Sequence, residues 1–196
     1  MTRPRSVVSA ILRPPVRAAC VAAVLVAALV ASPMRGAAQQ RPADADDALA
    51  GAILKELIEI NTAPSGKEMS RATRAMAARL RDAGFPAADV QLAGPDDAHR
   101  NLVATLRGRD AGAKPIVLMA HIDVVEALAR DWSMDPYVLH EKDGYYYGRG
   151  VTDNKGGAAV IIANMIRWKR EGFAPSRDVI AVLTTDEETS AEQGIK

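Results

Sequence analysis

The sequence predicts a three-layer α/β/α domain built on a mostly parallel sheet, and three observations predict it. Apolar residues recur at helical spacing in two early segments; continuous apolar runs of strand length lie at 116–120 and 179–183; a further helix reads between those two runs. Helices alternating with buried strands form layered α/β domains, because each element buries its apolar face against another. The 196 residues are 48% hydrophobic, 25% charged and 4% aromatic, which suits a globular domain and excludes disordered and collagen-like chains.

The first 38 residues stand apart. Arg3, Arg5, Arg13 and Arg17 lie in a stretch without acids, an apolar run follows from Ala18 to Val30, and small residues end it at Gly36, Ala37 and Ala38. A basic head, an apolar centre and small residues describe a secretory signal peptide. The run falls short of the ~20 apolar residues that span a bilayer, although an uncleaved N-terminal anchor is the competing account. Cleavage near Ala38–Gln39 is expected, giving a secreted or periplasmic protein. The single cysteine, Cys20, would leave with the leader, so the mature chain would have neither a disulfide nor a thiol nucleophile. Five arginines (3, 5, 13, 17 and 35) would leave as well, turning the formal +1 into 1 − 5 = −4. A mildly acidic protein of this kind predicts neither nucleic acid nor, once the leader is cleaved, a membrane as partner.

Residues 39–47 read as a loose polar lead-in, and the domain as 48–196. Leu49, Ile53, Leu57 and Ile60 mark a first helix, with Asp46 and Asp47 placed to cap it. Met69, Met76, Leu80 and Ala83 mark a second over 68–83, with Gly84 at its C-terminal end. Short strands follow at 90–93 and 102–106. The continuous run 116–120 predicts a strand buried on both faces. A hairpin is expected over 137–148 about Asp143-Gly144, then a helix over 157–171 closed by Gly172, then the strand 179–183. The chain ends one turn into an expected helix at Ala191–Lys196, so it reads as a fragment or a truncated product.

Three clusters fall beyond the carboxyl ends of strands, where α/β sheets keep their sites. His121-Ile122-Asp123 follows the first apolar run; two residues apart in extended chain, His121 and Asp123 project to one side. The glycine-rich loop from Gly148 to Gly157 carries Asp153 at its centre, and Asp186-Glu187-Glu188 follows the second run. Each has a plain alternative: a surface pair, a glycine turn with a helix-capping aspartate, a solvated acidic turn. The loop could also cradle phosphate, but its spacing matches neither nucleotide-binding glycine pattern, and Asp153 would repel an anion. Together, imidazole and carboxylates on one sheet edge imply a metal: zinc, with cobalt or manganese as alternatives.

His121-Ile122-Asp123-Val124-Val125, then Trp132 and Asp135-Pro136, then Tyr147-Gly148-Arg149-Gly150 with Asp153 and Lys155-Gly156-Gly157, then Thr185-Asp186-Glu187-Glu188, in that order, resemble the two-zinc metallopeptidases. That family includes glutamate carboxypeptidase, aminoacylase, acetylornithine deacetylase, succinyl-diaminopimelate desuccinylase and several dipeptidases. The resemblance covers about residues 48–196. It implies that His121 and Glu188 each bind a zinc, that Asp153 bridges the two with a cis peptide after it, and that Asp123 orients His121. It implies Glu187 as general base for water attacking the amide of a small peptide or N-acyl amino acid. It also implies a further Asp and a His ligand beyond Lys196, and a lid domain that mediates dimerisation, so the 196 residues alone are expected to be inactive. A non-catalytic remnant or binding domain is the alternative; His99 and His140 are read as structural or exposed.

Overall fold

A computed structural model of the chain describes residues 43–188. The leader, its cleavage point and the helix expected at Ala191–Lys196 lie outside the described residues. Among the described residues are three α-helices, α1 (Ala43–Glu59), α2 (Met69–Asp82) and α3 (Lys155–Arg170). Strands β1 (Val90–Ala93), β2 (Asn101–Leu106), β3 (Ile116–His121) and β6 (Val179–Thr184) form one sheet in the order β1-β2-β6-β3, while β4 (His140–Lys142) and β5 (Tyr145–Tyr147) form a separate hairpin. Among the described residues no helix is long and apolar enough to cross a membrane.

The sheet is mixed, where a mostly parallel one was expected. Only β3 and β6 run parallel; β1–β2 and β2–β6 are antiparallel. The physical reason is connection length. Residues 94–100 can only fold β2 back beside β1, whereas α3 supplies the long crossover that a parallel pair needs. Alternation along β2 is clean, with Leu102, Ala104 and Leu106 buried and the residues between them half-buried.

The helices pack on one face of the sheet. Ile53, Leu57 and Ile58 of α1, Met76 and Leu80 of α2, and Ile162, Met165 and Ile166 of α3 share a core with Leu102, Ala181 and Leu183. The described residues therefore form two layers of the three expected. The prediction that β3 is buried on both faces does not hold among them. Val117 and Met119 are each 55% exposed, because β3 is an edge strand and no described helix covers its second face.

Element ends follow the local sequence. After α2, Gly84 (φ +93°) donates to Arg81 O and Phe85 to Leu80 O; after α3, Gly172 donates to Lys169 O and Phe173 to Trp168 O. This doubled pattern satisfies the last free carbonyls of each helix, and a contact between the rings of Trp168 and Phe173, 6.0 Å apart, seals the second. Asp143 (φ 53°) and Gly144 (φ 79°) make the hairpin turn as expected. Two expectations shift. α1 begins at Ala43, so Asp46 and Asp47 lie inside it and do not cap it, and residues 43–47 are helical where a loose lead-in was expected. α3 begins at Lys155 with Asn154 as its N-cap residue, so Gly156 and Gly157 are helical and Asp153 caps nothing.

Candidate metal centre

The parallel pairing of β3 with β6 builds the site. It sets His121 level with Thr184, so the segments His121–Asp123 and Asp186–Glu188 leave the sheet side by side at its carboxyl edge. α3 runs back antiparallel to both strands, which brings its start, and Asp153 just before it, to the same edge. The loop before α3 depends on Gly150, whose φ is +89° and whose added Cβ would stand 2.6 Å from Val124 Cγ1. A side chain there would be strained twice over, by its dihedral and by its neighbour. The Asp153–Asn154 peptide is cis, as the resemblance implied.

His121 is buried, with Nδ1 turned 3.1 Å from Asp123 O and 3.6 Å from Asp123 Oδ1. The backbone carbonyl of Asp123 is thus the nearer partner, while its carboxylate lies just beyond hydrogen-bond range. Nε2 faces outward, 2.9 Å from Asp153 Oδ1 and 3.8 Å from Glu187 Oε2. Ligand atoms of His121, Glu187 and Glu188 all fall within 4.8 Å of one another. The side chains of Asp153 and Glu187 are open to solvent, at 74% and 58% exposure. Asp123 Oδ2 accepts the backbone N–H of Glu188 at 2.8 Å, which ties the two carboxyl-edge segments together.

The charges of this site are unbalanced. Four carboxylates surround one imidazole. The Asp123 carboxylate, and after it Asp153, raises His121 from 6.5 to about 9 against the opposing cost of burial. Burial, then the negative charge of Asp153, holds Glu188 above the usual carboxylate range. Burial also pushes Asp123 up, but His121 and the N–H groups of Glu188 and Glu187 outweigh it and hold the group low. Asp123 Oδ1 is buried without a hydrogen-bond partner. An imidazole nitrogen facing crowded carboxylates, with no thiol among the described residues, is a donor set that fits a borderline dication such as zinc.

The five residues expected from the sequence (His121, Asp123, Asp153, Glu187 and Glu188) therefore come together, while His99 and His140 stay away. His99 pairs with Asp96 at 2.8 Å, and His140 Nε2 lies 3.2 Å from Asp135 O. Sequence reasoning missed Thr62, whose hydroxyl donates to Ile122 O at 2.6 Å, and gave no role to Lys155, which it quoted only within the loop motif and which is buried beside the loop. Thr62 carries no sequence signal; a lysine at the start of an apolar helix face could have flagged the other.

The profile of the peptidase family M20/M25/M40 matches residues 117–196, the segment that holds every residue of this cluster. That segment, 80 of the 196 residues, is similar to the family. The mouse N-fatty-acyl-amino acid synthase/hydrolase PM20D1 is 38% identical over 90 residues, 46% of this chain and 18% of that protein. A succinyl-diaminopimelate desuccinylase from Stenotrophomonas maltophilia is 35% identical over 122 residues, 62% of this chain and 31% of that one. Human carnosine dipeptidase 1 superposes with a TM-score of 0.62 at 25% identity, over 76% of this chain and 35% of its own. The chain thus spans under a third of the length of the two curated relatives named.

Proposed function

We propose that the polypeptide carrying this sequence is an exported, metal-dependent hydrolase of the amide bond in a small peptide or N-acyl amino acid. The observation that supports this reading best is the convergence of His121, Asp153, Glu187 and Glu188 on one sheet edge. His121 Nε2, Asp153 and Glu188 would hold zinc, two ions per site with cobalt or manganese as substitutes. Asp123 would fix the ring of His121 from behind, through its backbone carbonyl at 3.1 Å, with its carboxylate 3.6 Å away. When bound, such cations would lower the pKa of a water and polarise the substrate carbonyl.

Glu187 is the group left to move the proton. Its carboxylate is the more open of the adjacent pair and lies at the edge of the cluster. It accepts the proton of the attacking water and delivers it to the leaving nitrogen. The mouse protein is named for N-fatty-acyl-amino acids and the human one for a dipeptide, which supports the substrate class. Export follows from the basic and apolar leader, with cleavage near Ala38–Gln39.

The test uses the native polypeptide, purified with its metal. Glu187→Ala should lower turnover of a dipeptide or acyl-amino acid panel by about 10²–10⁴-fold and leave zinc content nearly unchanged. Asp153→Ala should lose zinc as well as turnover. Normal turnover in Glu187→Ala would sink the assigned mechanism. A native protein without zinc and without amidase activity would instead favour a non-catalytic binding domain.

A further inference from the structure

Two buried polar side chains beside the site take no part in the chemistry above. Lys155, the first residue of α3, is fully buried, and its Nζ donates to Ile60 O at 2.9 Å. Thr62 is fully buried too, and its Oγ1 donates to Ile122 O at 2.6 Å. Both bonds converge on residues 60–62, the segment that leaves α1. Val124 N donates back to Thr62 O at 3.4 Å, and Lys155 N to Gly150 O at 2.9 Å. Residues 60–62 thus touch both ligand-bearing segments, 121–124 on one side and 150–155 on the other.

Packing alone gives no reason for a lysine here. Its stem lies against Gly150, where an added Cβ would meet Lys155 Cδ at 3.2 Å, and a methionine would fill the same space. A lysine head buried away from water is costly unless a partner accepts its hydrogen bond, and Ile60 O is that partner here. A directional bond does what an apolar contact cannot: it fixes the register of the first turn of α3, and so of Asp153 two residues before it. The hydroxyl of Thr62 does the same for the backbone between His121 and Asp123.

We propose that Thr62 and Lys155 are positioning residues that lock segments 121–124 and 150–155 onto residues 60–62, setting His121 and Asp153 in place before a metal arrives. The use of that lock rests on the metal-centre reading above; its existence does not. Hydrogen exchange on the metal-free full chain, with zinc affinity by chelator competition, tests both. Thr62→Val and Lys155→Met should speed exchange at the amides of Ile122, Val124 and Lys155 while leaving β1 and β2 at native rates. Zinc affinity should fall about 10–100-fold, and Thr62→Ser, which keeps the hydroxyl, should restore both readings. Unchanged exchange at the three amides overturns the lock, as does faster exchange spread equally over β1 and β2. Local loosening with unchanged zinc affinity overturns its role toward the metal. A native chain that takes up no zinc sinks the metal reading alone, and the exchange data still decide the lock.

Discussion

At the scale of single residues, His121 and Lys155 titrate in opposite senses within one small region. His121 is raised from 6.5 to about 9, so the folded, metal-free chain binds its proton more tightly than the unfolded chain. Its stabilising contribution is complete below 6.5 and lost as the pH climbs through about 9. Lys155 is lowered from 10.5 to about 7, so between those values the unfolded chain binds the extra proton and stability rises with pH. The two trends oppose each other between pH 7 and 9. In thermal unfolding of the metal-free chain, Lys155→Met should expose a midpoint that falls across this window. His121→Asn should expose one that rises. Parallel profiles for native and both variants would contradict the two shifts. Zinc must displace the proton on His121, so zinc affinity should increase with pH up to about 9.

Elements carry the next level. The loop between β5 and α3 reaches the site only because residue 150 has no side chain: its φ is +89° and Val124 Cγ1 stands 2.6 Å from where a Cβ would be. Gly150→Ala should therefore destabilise the chain by about 1–3 kcal/mol, read from the denaturant midpoint. It should also weaken zinc binding, because Lys155 N donates to Gly150 O and Asp153 lies between them in sequence. The doubled cap at Gly84 is, by contrast, far from the metal centre. Gly84→Ala, with φ +93° and no contact nearer than Lys169 Cε at 3.9 Å, should cost stability without touching zinc affinity. Comparing the two separates strain at the site from strain elsewhere.

For the whole molecule, the second face of the sheet sets the expectation. Val117 and Met119 are 55% exposed, and Ile180 and Val182 beside them are half-buried. Val117→Thr and Met119→Gln should change the stability of this chain by no more than ~0.5 kcal/mol, as other exposed substitutions do. A loss of several kcal/mol would show that this face is packed in solution. The proposed export gives another whole-molecule reading. Terminal sequencing of the exported protein should begin at Gln39; a chain that keeps Met1 would mean the leader is an anchor.

The sequence by itself determined the local elements and the chemistry of the ligands. Periodicity located α2 and β2 because each has one buried face, a continuous apolar run located β6, and the turn residues Asp143-Gly144, Gly84 and Gly172 marked ends that backbone geometry alone dictates. The order of His121, Asp153 and Glu187-Glu188 gave the candidate cluster and, with it, the family resemblance. Tertiary structure decided the rest. A continuous apolar run cannot say whether its strand lies inside or at the edge of a sheet, which is why β3 reads as buried and stands exposed. Helix-start signals at Asp46, Asp47 and Asp153 were outweighed by packing and by the pull of His121. The contacts of Thr62 with Ile122 and of Lys155 with Ile60 join residues 60 and 95 positions apart. No local pattern encodes such a pair, because its partners become neighbours only when the core that separates them in sequence has folded.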